Sequence, residues 1–261
     1  MFLSKSRQAG LSLVELMVGL VVGLIVVAGA GAMYVTTVRG QTHALRAAKL
    51  NQDLRATMSV IASDIRRAGY WAGSVAVNAG PPVTYTFPTN PYTAATTDLA
   101  ILEGGTCVMY GYDADGDGAA VEGGEVFGFK LDDDDVIRML DPGNTLTQTS
   151  NCTTGTWGAM TSNDTVVIDS LTFSTTGSQC MNATTGLTWR ITESSTNRPC
   201  AAPEGEITLN GGGYVEPVAG DLMTEVRQVT ITLTGHHASD PAMASTVTET
   251  VHLANNRIFN W

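Results

Sequence analysis

Between Leu16 and Val38 the sequence carries no charged residue. The 28 residues from Leu11 to Val38 make about 42 Å of helix at ~1.5 Å per residue, ample for a bilayer core. The run therefore reads as one membrane span, and everything else must be arranged around an amino-terminal anchor. Lys5 and Arg7 precede it and no basic residue follows before Arg39. That asymmetry holds the amino end in the cytoplasm and sends the remainder outward. A secretory signal places its small residues after the apolar core, but here Gly10 stands before it. Cutting at Gly10 removes the basic leader and keeps the helix.

Glu15 conflicts with a plain anchor, since an acid at mid-membrane costs roughly 2.5–3.5 kcal/mol on insertion scales. Pairing with an ammonium, with the carboxylate oxygens satisfied, offsets much of that cost. A free amine exists near this depth only at a freshly cut terminus, such as Leu11 of a neighbouring chain. The plainer alternative is a Glu15 hydrated among the headgroups.

"GLSLVE" over residues 10–15, followed by the apolar helix, resembles the class III signal of type IV prepilins and type II secretion pseudopilins. The resemblance implies that a prepilin peptidase cuts after Gly10 and methylates the new amine of Leu11, where most members have Phe. It also makes Glu15 the assembly glutamate. Gly19 and Gly23 form a G-x-x-x-G that lets another helix approach closely. Gly29 and Gly31 each lower helix propensity by roughly 1 kcal/mol relative to Ala. The resemblance implies local melting there within filaments; small-residue packing is the other reading.

From Arg39 to Ala68 the chain continues as an amphipathic helix. Leu50, Leu54, Met58, Ile61 and Ile65 recur at the spacing of a helix laid on a core. Arg39, Arg46, Lys49, Arg55, Arg66 and Arg67 fall on other faces, and Gly69 is placed to end the helix.

The charges divide sharply. Residues 1–70 hold eight Lys/Arg and three Asp/Glu, whereas residues 71–261 hold six and 22. So acidic a head repels a phosphate backbone, which argues against nucleic-acid binding through it. Its four cysteines, Cys107, Cys152, Cys180 and Cys200, match no zinc or redox spacing. In an exported chain an even number favours two disulfides. Three connectivities are open, and 107–152 with 180–200 closes the shorter loops.

After Gly69 the pattern changes to Thr/Val-rich runs broken by Pro, Gly and Asn. Strands are expected at 99–102, 107–112, 125–131, 136–139, 165–173, 188–192, 225–234 and 246–253. Alternation in "VRQVTITLTG" and "STVTETVHLANNR" marks half-buried antiparallel strands. Pro81, Pro82, Pro88 and Pro91 read as a linker or loop, and Asp132–Asp135 as an exposed hairpin turn. Asp113, Asp115 and Asp117 before Gly118 reproduce the first half of a calcium loop, and hard carboxylate oxygens suit Ca²⁺. The helical EF-hand is excluded, because Gly124 stands where its bidentate acid belongs and a strand follows. A non-EF calcium loop closed by Glu122 or Glu125 is one reading, and an acidic β-turn the other. His236 and His237 read as a loop at a strand end. No nucleophile elbow, zinc-protease helix, phosphate loop or dinucleotide fingerprint is present.

"SDIRRAGYWAGS" at 63–74 and "TETVHLANNR" at 248–257 resemble phrases of the PilW-type minor pilins, with Ala254 where Arg is usual. The expected fold is α+β and type IV pilin-like: a long amino-terminal helix packed on an antiparallel β-rich head. The expected organisation is a leader (1–10), a transmembrane half-stem (11–38), an amphipathic half-stem (39–69) and a head (70–261). The resemblance implies an inner-membrane prepilin whose head faces the periplasm and later the pilus surface. Its implied partners are prepilin peptidase, other minor pilins, the major pilin and a tip adhesin, with adhesion and twitching motility as outcomes. The alternatives are a J-type minor pseudopilin and a membrane-anchored surface-binding module.

Overall fold

The apolar run and the amphipathic stripe form one element. The computed structural model describes residues 12–73, 77–78, 85–86, 89–119, 121–191, 200, 207–209 and 217–261, and it opens on helix α1 (Leu13–Ile65). The helix is continuous through Gly19, Gly23, Gly29 and Gly31, and a Cβ at any of these would meet nothing within 4 Å. From Leu13 to Val38 its side chains are exposed, as a lipid-facing surface must be. Thr36 and Thr37 return their hydroxyl protons to the Met33 carbonyl, so neither presents an unsatisfied donor there. Contacts divide the chain after Lys49, so about four turns of α1 belong to the compact unit Leu50–Trp261.

Among its described residues are fifteen strands, all paired antiparallel. β1 (Val77–Asn78) and β2 (Tyr85–Thr86) make a two-stranded ribbon. β3 (Ala100–Leu102), β4 (Cys107–Gly111), β5 (Val126–Leu131), β6 (Ile137–Leu140) and β7 (Trp157–Ala159) follow one another as a meander. β8 (Val166–Ser174) pairs with β13 (Gln228–His237), which pairs with β14 (Asp240–His252). The last sheet takes the order β11-β10-β9-β12-β15. Its members are β9 (Gln179–Asn182), β10 (Thr188–Ile191), β11 (Ile207–Leu209), β12 (Leu222–Val226) and β15 (Ile258–Asn260).

The core explains the stripe. Leu50, Leu54, Met58, Ile61 and Ile65 are at most 1% exposed and join one cluster with two sheets. The meander contributes Val108, Tyr110, Phe127 and Phe129; the three-stranded sheet contributes Ile168, Leu171, Phe173, Val229, Ile231 and Leu233. Burying each large side chain contributes about 1.5–3 kcal/mol. Close approach of helix and sheet depends on Gly235, where a Cβ would lie 3.2 Å from Leu54 Cδ2 and 2.8 Å from the Val167 carbonyl oxygen. Disulfides Cys107–Cys152 and Cys180–Cys200 sit in two smaller clusters, beside Met109 and Leu140 and beside Met223.

Three expectations are corrected. The strand expected over 225–234 is two strands in different sheets, β12 and β13, separated at Arg227. Arg227 is 2% exposed and its guanidinium is turned onto the Asp98 carboxylate, so it leaves the ladder to satisfy a buried charge. His236 and His237 are the last residues of β13 rather than a loop, and His236 Nδ1 lies 2.7 Å from Asp169 Oδ1. The proline-rich stretch includes β2, and Pro91 begins a single 3₁₀ turn capped by Asn90. Pro81, Pro82 and Pro88 lie outside the described residues.

Candidate functional site

At its amino end, α1 begins with a reciprocal cap. The Ser12 amide donates to Glu15 Oε2 at 3.1 Å and the Glu15 amide donates to Ser12 Oγ at 3.2 Å. This is a capping box, which satisfies two of the donors that every helix start exposes. Its sequence signal, S-x-x-E, stands in "SLVE" at residues 12–15. Gly10 and Leu11 lie outside the described residues.

The other end of the helix is gripped from several sides. Helical bonding ends at Ile65, two tight turns carry the chain to Gly69, and Gly69 adopts a φ of 76°, a conformation glycine takes without strain. The carbonyls left over at a helix end need donors. Ala254 N donates to Arg66 O, Asn255 Nδ2 to Arg67 O and Ala68 O, and Asn90 Nδ2 to Gly69 O. The two phrases "RRAGYW" and "LANNR", separated by nearly the whole head, therefore meet at one place. Asp64 adds a lateral tie: Tyr110 donates to it at 2.5 Å and Tyr112 at 3.2 Å, while Arg67 lies 4.0 Å over the Tyr112 ring. Burial, then the Asp64 charge, raises both phenols well above their ordinary range, so both remain donors.

The acidic loop belongs to the same place. Asp113 is 1% exposed, and its carboxylate accepts from the amides of Ala72 (3.0 Å), Gly116 (2.7 Å) and Gly118 (3.0 Å). Burial pushes this carboxyl up, but the three amides outweigh it and hold it below the usual carboxylate range. Trp71 Nε1 donates to the Gly118 carbonyl, and the Asp113 amide to the Tyr70 carbonyl. "YWA", the first residues after the stem, is thus sewn to the loop. Asp115 and Asp117 are exposed and each caps the amide two residues on. Carboxylate oxygens of Asp113, Asp115 and Asp117 lie within 4.8 Å of one another.

The two glutamates part company. Glu122 is exposed. Glu125 is 6% exposed and turns inward, accepting from Tyr92 Oη at 2.6 Å and from the amides of Glu122 and Ala114. Burial and this carboxylate raise the Tyr92 phenol far above its ordinary value. Arg138 offsets part of the charge of the Asp132–Asp135 hairpin by pairing with Asp132 and, at 2.6 Å, with Asp134. Asp132, pushed up by desolvation, is pulled further down by the Asp133 amide and Arg138.

An amino-terminal apolar helix behind a class III-type signal, and a head fastened to the far end of that helix, agree with what family comparison finds. A family described as prepilin peptidase-dependent protein B matches residues 43–253, and the prokaryotic N-terminal methylation motif matches residues 5–31. The chain belongs to the prepilin peptidase-dependent protein B family. It is a type IV prepilin-like minor pilin, and pilin-like families are structural rather than enzymatic. No curated protein and no solved structure matches the chain. The match begins at His43 within the stem and ends at Leu253, two residues short of the asparagine that caps the stem.

Proposed function

We propose that this minor pilin is cut after Gly10, methylated on Leu11 and inserted by its stem into a pilus-type filament, whose assembly it primes together with other minor pilins. The observation that carries the reading is the pair of family matches, methylation motif and head, on one chain whose α1 joins an exposed apolar segment to a buried stripe. After the cut, each Glu15 carboxylate receives the amine of a neighbour's Leu11, which rewards the correct axial stagger. The capping box supports this role because it holds Glu15 at the helix start and lowers the cost of keeping it charged there. The head faces the periplasm and then the pilus surface, where partner heads, the major pilin and a tip adhesin meet it.

Crosslinking the full chain in membranes, followed by identification of its partners, tests the reading. Recovery of other minor pilins supports it. Recovery of secretion-channel components in their place assigns the chain to a type II secretion system, and recovery of neither removes the priming role.

The Asp113 loop is proposed as a calcium site as well as a fastening. Three convergent carboxylates fit a hard cation but supply fewer oxygens than the six to eight that Ca²⁺ takes, so water completes the shell. Glu125, committed to Tyr92 and two amides, does not need to ligate. Millimolar calcium is expected to raise the melting temperature of the chain, and an unchanged melt removes the calcium role.

A further inference from the structure

The apolar run of the stem is longer than a bilayer needs, since about 20 residues cross a hydrocarbon core of ~30 Å. Hydrophobicity alone leaves the segment from Leu11 to Val38 free to slide by roughly two turns, and its flanking groups must fix the depth. Glu15 and Arg39 are the charges that bound the run, 24 residues or ~36 Å apart along the continuous helix. That spacing exceeds the hydrocarbon core and falls short of the ~40–45 Å that includes both headgroup layers. Both charges therefore reach headgroups only when each lies in its own layer. Tyr34, 72% exposed and about 7.5 Å before Arg39, falls at the boundary where aromatic rings gather.

Beyond Arg39 the stem stays basic. Arg46 and Lys49 follow, and no acid intervenes before Asp53. Arg39, Arg46 and Lys49 make no ion pair or hydrogen bond among the described residues. Arg39 and Arg46 stand seven residues apart, on one helix face. In a helix every Cα–Cβ bond leans toward the amino end, which here is the membrane. Arg46 thus reaches back along that face toward the headgroups. Lys49 is ~15 Å past Arg39, more than a Debye length from the layer. Removal of the leader, as proposed, takes Lys5 and Arg7 with it and leaves every Lys/Arg of the stem on the head side of the span.

We infer that Arg39 and Arg46 form a collar that holds the stem in the head-side leaflet by binding the phosphates of anionic phospholipids. Lipid phosphate is the abundant anion at that depth, whereas an acidic neighbouring head would meet all three basic residues alike. The collar sets the depth of the stem and so keeps Glu15 at the opposite interface. The inference rests on reading α1 as a membrane span and is independent of the filament.

The full chain carrying Tyr34→Trp is reconstituted into vesicles of phosphatidylcholine and phosphatidylglycerol, with one lipid brominated at a time. Quenching of the added tryptophan, taken as the difference from the chain without it, gives the relative association of the two lipids beside the stem. The expected preference for phosphatidylglycerol is about threefold or more at low salt and falls toward one in 1 M salt, where the Debye length is ~3 Å. Arg39→Gln removes most of it, Arg46→Gln part of it, and Lys49→Gln less than either. Lys5→Gln with Arg7→Gln leaves it unchanged, because the probe sits at the other interface. Equal association of the two lipids, or a preference that survives Arg39→Gln with Arg46→Gln, overturns the inference. A loss in Lys49→Gln as large as in Arg39→Gln also overturns it and assigns the basic stretch to an acidic protein partner. Failure of the chain to float with the vesicles removes the membrane reading and the collar with it. A chain that shows the preference and never enters filaments keeps the collar and removes the filament reading.

Discussion

Asp113 shows how a residue chosen for one chemistry does another. Its position at the head of D-x-D-x-D-G pointed to a cation, and the structure places its carboxylate on three backbone amides, one of them that of Ala72, three residues past Gly69. A carboxylate with two oxygens and about four lone-pair sites can serve both purposes. Asp113→Asn replaces an acceptor by a donor facing those amides, and is expected to cost about 2–4 kcal/mol of head stability in chemical denaturation. The pH dependence has a definite sign. The folded carboxyl is held below its unfolded value of about 3.9, so its contribution is full above that value and is lost as pH falls through the folded one. The melting temperature of the wild-type head should hold down to about pH 4 and fall below it, and Asp113→Asn should flatten that fall. An unchanged acid limb in the variant contradicts this account of the loop.

At the scale of elements, what was legible was whatever repeats. The stripe from Leu50 to Ile65 follows helical spacing, and the strands around β4, β5, β8 and β14 were visible from alternation or β-branched runs. β7, β9, β11 and β15 are three or four residues long, too short to show a period, and exist because a neighbouring strand offers them a ladder. Arg227 falls in an alternating run that reads as one strand; its partner Asp98 is 129 residues away, and no local pattern encodes that distance. Likewise Asn255 read as the tail of a strand, and only the fold reveals that it caps the stem. Two consequences follow for the helix. Leu54→Ala removes a fully buried side chain beside Gly235 and should destabilise the head by about 2–5 kcal/mol in urea unfolding. Asn255→Ala leaves two helix carbonyls without their side-chain donor and should cost about 1 kcal/mol, with faster amide exchange confined to residues around Arg67–Tyr70.

For the whole molecule, the division of charge and apolarity determines what the chain can do. The apolar, charge-free half of α1 belongs in a membrane, the second half belongs to a core, and a single acid stands at the entrance to the first. Glu15 serves its own helix through the Ser12 box, and in the proposed filament it also serves the neighbour whose leader has been removed at Gly10. These two duties predict a separation of effects. Ser12→Ala loosens the box and should lower incorporation severalfold without stopping cleavage. Glu15→Ala removes both duties at once. The most direct test is the fraction of processed chain recovered in sheared filaments from cells expressing Glu15→Ala beside wild type. The account predicts normal cleavage after Gly10 and at least a tenfold loss from the filament fraction; incorporation equal to wild type would contradict it.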